Sequence, residues 1–185
     1  MKPAAARLVS MDGVNGTALK TAARSWVSEH RHERAGLSQW GASGIFDELT
    51  MAASDAGTAS PRTLLLLYAA DLAFRLRWQI EPAIEEGRTV VAAPYVQTAV
   101  AFGRATGLEQ EWLSSLFLFA PAPAVHLTVD AAPAHRQADR TGFLELLCQL
   151  VAGRGPGMTR QRLMTAARGH LRSRSGRARG HGRKK

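Results

Sequence analysis

Cysteine is nearly missing from this chain: Cys148 is the one thiol among 185 residues. An intrachain disulfide and a cysteine-rich zinc site are excluded with it. Long apolar runs are missing as well. The longest, Leu64 to Ala70, falls far short of the roughly 20 residues a membrane-spanning helix needs. The opening stretch, MKPAAARLVSMDG, has no apolar segment of signal-peptide length. These absences lead us to expect a cytoplasmic protein in a reducing setting, without a membrane partner. Acidic residues are missing from one end only. Residues 154–185 hold eleven of the 24 Lys and Arg and no Asp or Glu, so the other residues carry 13 cations against 15 acids. The basic character belongs to that end, and the body is not a basic nucleic-acid-binding domain. The same end has no aromatic residue, which argues against base stacking on a single strand.

What is present is ordinary for a globular chain. Hydrophobic residues are 45% and charged residues 21%, which excludes a wholly disordered chain. The length supports one domain with a core that needs no staple. We read residues 1–152 as that domain and 153–185 as a disordered, Gly- and Arg-rich tail, with a short helix allowed over 158–168. Within the domain, 7–11 reads as a strand, 12–17 as a Gly-punctuated turn, and 18–27 as a helix with apolar residues at i, i+4. A second strand is expected over 35–39. Ser60-Pro61 is a helix start, serine as cap and proline in the first turn, for a helix ending near Pro82. Then come a strand over 88–93, helices over 95–104 and 109–119, a strand over 124–129 and a helix over 141–151. Alternating strands and helices imply a parallel sheet of about five strands, covered on both faces.

The first strand, turn and helix have the layout of a phosphate-binding loop. That motif is G-x-x-x-x-G-K-[ST], with glycine N–H groups around the phosphates, a lysine on the outer ones and a hydroxyl on Mg²⁺. Counted from Gly13, Ala18 stands at the second glycine, Leu19 at the lysine and Lys20 at the hydroxyl, with Thr21 next. From these residues alone the stretch reads as a plain strand-to-helix turn.

A wider pattern adds to this. Asp12-Gly13-Val14-Asn15-Gly16-Thr17-Ala18-Leu19-Lys20-Thr21 occupies the places of Glu-Gly-x-Asp-Gly-x-Gly-Lys-Ser-Thr. Leu65 to Leu72, then Ile80 to Val91, then Ala93-Pro94-Tyr95, follow in matching order and spacing. On these residues the chain resembles the thymidylate kinase family of P-loop nucleoside monophosphate kinases over residues 7 to about 130. The resemblance implies ATP and dTMP as nucleotide partners, Mg-ATP as cofactor if the chain is active, and a homodimer, with Leu64 to Leu67, Phe117 and Phe119 as candidate contacts. It assigns Gly13, Gly16, Lys20 and Thr21 to ATP, with Thr21 also on the metal. Asn15, Tyr68, Tyr95 and Thr98 are assigned to the nucleotide substrate, Tyr68 at the place of a base-stacking phenylalanine. Tyr68 also reads as an interior aromatic, and both readings stand. Lys20, with Arg136 and Arg140 at the place of the lid, would supply the catalytic cations.

The departures are chemical. Leu19, Pro94 and Leu72 replace a lysine and two arginines of the pattern, and Ser38-Gln39-Trp40-Gly41 stands where it has Thr-Arg-Glu-Pro. Phosphoryl transfer is mostly positioning plus charge neutralisation, and losing one such donor typically slows catalysis by ~10²–10³. Three functions are therefore expected in turn: a kinase-like protein that has lost most catalysis and binds or regulates, an active divergent dTMP kinase, and a polyanion or nucleic-acid binder through the tail.

Overall fold

The computed structural model describes residues 6–46, 48, 59–131, 142–151 and 159–179, with side chains to 173. Strand β1 (Leu8–Gly13) leads to α1 (Gly16–Glu29), a 3₁₀ turn (Arg31–Glu33) and β2 (Gly36–Gln39). Helix α2 (Pro61–Arg75) runs through a π segment (Leu76–Ile80) into α3 (Glu81–Glu85). Then follow β3 (Val90–Ala93), α4 (Val96–Ala105), α5 (Gln110–Leu116), β4 (Val125–Val129), α6 (Phe143–Val151) and α7 (Arg160–Arg179). The strands form one parallel sheet in the order β2-β3-β1-β4. The expected five strands are thus four among the described residues.

Both sheet faces are apolar, as helical crossovers require. Alternation along the strands divides the core. Val9, Met11, Val91 and Ala93 face α1, where Leu19 and Ala23 meet them. Leu8, Val90 and Ala92 face the larger cluster, built with Leu64, Leu65, Tyr68 and Leu72 of α2 and Ala99 and Phe102 of α4. No helix among the described residues is long and apolar enough to cross a membrane.

Two expectations are corrected. The long helix does not stop at Pro82. Leu76–Ile80 widen to π geometry, and Pro82 falls in the first turn of α3, where a missing N–H does least harm. The C-terminal residues are not a structureless tail over 160–179. Leu163, Met164, Ala167 and Leu171 form a buried stripe, and α7 packs on α4. Arg168 Nε and Arg172 Nη2 reach Asp130 at 2.9 and 2.6 Å. Averaged composition hid a stripe at helical spacing.

One carboxylate ties the lower ends of three strands. Glu33, just before β2, accepts from Arg7 Nη2 and from Thr89 Oγ1, each at 2.8 Å, residues leading into β1 and β3. Burial works to raise its pKa, but the Thr89 hydroxyl and the Arg7 guanidinium outweigh that and hold it below the usual glutamate value. A depressed folded-state pKa gives stability above the unfolded value that is lost as pH falls through the folded one. Acid titration of stability should steepen between about pH 5 and pH 2, and Glu33→Gln should flatten that region in urea melts taken across pH. An unchanged profile would remove the assignment.

Candidate functional site

In a sheet of this order, the crevice for a ligand lies beyond the C-terminal strand ends, beside the strand where the winding reverses. Here that strand is β1. A cavity of about 210 Å³ opens there, among Lys20, Gln39, Trp40, Pro94 and Phe143. It is small against the ~300–1,000 Å³ usual for ligand sites.

The strand-to-helix passage is tight. Only Val14 and Asn15 separate β1 from α1, so the helix begins at Gly16, two residues before the expected start at 18. The local chemistry explains why. Asn15 is the N-cap, its Oδ1 accepting from Ala18 N at 2.9 Å, and asparagine is among the residues that best start a helix. Gly13 N–H donates to Thr98 Oγ1 at 3.1 Å. Gly16 N–H donates to Glu145 Oε1 at 2.9 Å. The N–H groups of Gly13 and Gly16, which the resemblance assigned to ATP, thus donate to side chains of the chain itself, as does that of Ala18.

Glu145 is buried, in the first turn of α6. Its carboxylate lies beside Gly142 and Gly16, and a Cβ on Gly16 would overlap the Cα of Gly142. The heads of α1 and α6 therefore meet at two glycines with one carboxylate between them. Both helix dipoles favour a negative group there.

The other expected residues are placed as follows. Lys20 is exposed on α1 and lines the cavity. Thr21 is exposed on α1, and no group of three His, Cys, Asp or Glu able to hold a metal occurs among the described residues. Tyr68 is fully buried. Its hydroxyl lies 2.8 Å from Tyr95 O and accepts from Arg75 Nη2 at 3.1 Å. Phe143 covers its ring, with centroids 4.2 Å apart, where a base would stack. Tyr95 is buried too, and its hydroxyl donates to Pro121 O at 2.9 Å, away from the cavity. Burial raises the pKa of both phenols. Thr98 holds Gly13 and donates to Asp12 Oδ1 at 2.8 Å. Arg136 and Arg140 lie outside the described residues.

The sequence reading missed the buried polar groups that shape this end. Asp12 is fully buried; its Oδ1 accepts from Tyr95 N and Thr98 N at 3.0 and 2.9 Å. Burial pushes its carboxyl upward, against the pull of the Thr98 donors, His126 and Tyr95 N–H. Ser10, His126 and Asp12 gather here, yet Ser10 Oγ (2.8 Å) and Asp12 Oδ2 (3.7 Å) both approach His126 Nδ1. Sharing one nitrogen, they do not form a nucleophile–base–carboxylate relay. Arg75 and Asp71 are an ion pair at 3.2 Å with neither side chain exposed. Arg75 Nη1 donates to Pro94 O at 3.2 Å, and Asp71 accepts from Gly41 N, Ser43 N and Ser43 Oγ. The i, i+4 spacing of these two charges on an apolar helix was the available signal.

The parallel sheet and the strand–turn–helix at its centre define a P-loop-kinase-like α/β protein. No family model matches the sequence. A thymidylate kinase of Clavibacter sepedonicus is 31% identical over 141 residues, covering 71% of this chain and 67% of that protein. A probable thymidylate kinase of Pyrobaculum calidifontis is 33% identical over 78 residues. The chain matches between 32% and 43% of the length of the Pyrobaculum and Pyrococcus relatives. The crystal structure of a thymidylate kinase from Ehrlichia chaffeensis superposes with a TM-score of 0.64 at 10% identity, over 95% of this chain and 84% of that one. This chain belongs to the thymidylate kinase family.

Replacing Arg75 by methionine would leave the Asp71 carboxylate buried without its cation. We expect Arg75→Met to cost about 3 kcal/mol or more in urea unfolding, the usual penalty for breaking a buried pair from one side. A loss below about 1 kcal/mol, the range of exposed pairs, would contradict the assignment.

Proposed function

We propose that this chain is a thymidylate kinase relative that has given up most phosphoryl transfer and acts by binding or regulation, with an intact kinase as one partner to consider. The observation that carries this reading is the occupied head of α1, where Gly16 N–H donates to Glu145 rather than standing open to a phosphate. Leu19, at the place of the loop lysine, is buried against the sheet, and a lysine there could not be restored without opening the core. A cleft of about 210 Å³ also suits a nucleotide poorly.

The alternative is an active dTMP kinase converting Mg-ATP and dTMP to ADP and dTDP. Lys20 favours it, being the one charged side chain among the described residues of the cavity wall. Polyanion binding by the basic end is a third proposal; in it Arg162 is available on α7, while Arg168 and Arg172 are engaged by Asp130. Self-association stays a proposal too. Of its expected contacts Leu64, Leu65 and Phe117 are buried, while Leu66 and Phe119 are exposed.

The deciding experiment is dTDP formation from dTMP and Mg-ATP by the purified full chain and by Lys20→Ala. We expect no product above the protein-free background from either. Turnover by the natural chain that Lys20→Ala abolishes would establish the active reading in its place.

A further inference from the structure

The head of α6 does two things at once. Phe143 covers the Tyr68 ring, with centroids 4.2 Å apart, and packs against Trp40 at 5.5 Å. Two residues on, Glu145 brings a carboxylate to the N–H of Gly16 at 2.9 Å. Phe143 is 2% and Glu145 1% exposed. A ring on the cavity wall and a carboxylate on the Gly16 N–H behind it are the two chemical features of a nucleotide. The contact is specific in its sterics as well. Glycine at both 16 and 142 permits the approach, since a Cβ on either would overlap the opposing backbone or the Glu145 carboxylate.

We propose that Phe143 and Glu145 form an intrachain plug, ring for base and carboxylate for phosphate, that closes this crevice to phosphoryl anions. The proposal rests on the reading of the chain as non-catalytic and deepens it by naming what holds the crevice shut. Glu145 supplies the negative charge that the heads of α1 and α6 would otherwise take from a bound anion. Removing that charge while leaving Gly16 and Asn15 in place turns a filled position into an anion site. The ligand class it admits is a phosphate or pyrophosphate, free or as part of a nucleotide. Lys20 on the cavity wall adds a cation.

The probe is inorganic pyrophosphate, added at about 10 mM to the full chain and to Glu145→Ala, with chloride at matched ionic strength as control and the melting temperature as readout. The natural chain should not respond beyond the chloride control. Glu145→Ala should melt lower without the anion and recover by roughly 3–6 °C with it, the shift expected for a site near tenfold saturation in a chain of this size. Glu145→Gln keeps the shape and an acceptor for Gly16 and decides the matter if the alanine variant does not fold; it too should gain more from pyrophosphate than the natural chain does. A merely structural role for Glu145 would lower the melting temperature with no recovery specific to pyrophosphate. Equal responses in natural chain and variants, of whatever size, overturn the plug. Turnover in the kinase assay would instead overturn the non-catalytic reading, so the two failures are told apart.

Discussion

The hydrogen bond from Gly16 N–H to the Glu145 carboxylate joins the first helix to the sixth across 129 residues of sequence. Much at the strand ends depends on it. It gives a buried negative group to two helix N-termini, where backbone donors stand ready for it. It sets the two glycines, Gly16 and Gly142, in contact. Through Phe143 it also fixes the lid over Tyr68. The crevice that a doubly wound sheet offers by construction is thereby reduced to a small cavity.

Beneath that contact lies a buried polar layer that the fold must satisfy. Asp12 receives the backbone of Tyr95 and Thr98. Arg75 holds the Pro94 carbonyl and the Tyr68 hydroxyl, and Asp71 gathers the loop after β2. These groups lie in the interior, so each needs its partner and none is free to meet a substrate. Among the described residues Lys20 is exposed at the cavity, while Asp12, Asp71 and Arg75 face inward. A buried ion pair and hydrogen-bonded carboxylates thus hold this end of the frame together.

How much of this was legible in the sequence follows from the range of each interaction. The strands at 8–13, 36–39, 90–93 and 125–129 carry local signals, in apolar alternation and Gly or Pro punctuation, and were found to within a few residues. So was the start of α2, where Ser60 caps and Pro61 opens the helix. Asn15 carried a local signal as well, three residues before Ala18; the resemblance assigned it to the nucleotide substrate, and its side chain caps α1. The stripe of α7 was present at 163, 164, 167 and 171 and was obscured by the arginines around it. Phe143 and Glu145 were beyond reach, because nothing local says that α6 will begin against α1. Arg75 and Asp71 stood between, their spacing visible and their complete burial not.

The family relationship and the altered site are therefore compatible. The sheet and its crossovers follow from apolar patterning and survive the replacement of polar positions. Leu19, at the place of the pattern's lysine, serves packing, since its side chain joins the cluster of Val9, Met11 and Ala23. The most direct test of the account is the amide resonance of Gly16 in the natural full chain, followed by hydrogen exchange and chemical shift as Mg-ATP is added. A bond to a buried carboxylate predicts an amide that exchanges slowly and does not shift with the nucleotide. A Gly16 amide that exchanges rapidly in the free protein and moves on titration with Mg-ATP would mean that the crevice is open and that the α1 head still receives phosphate.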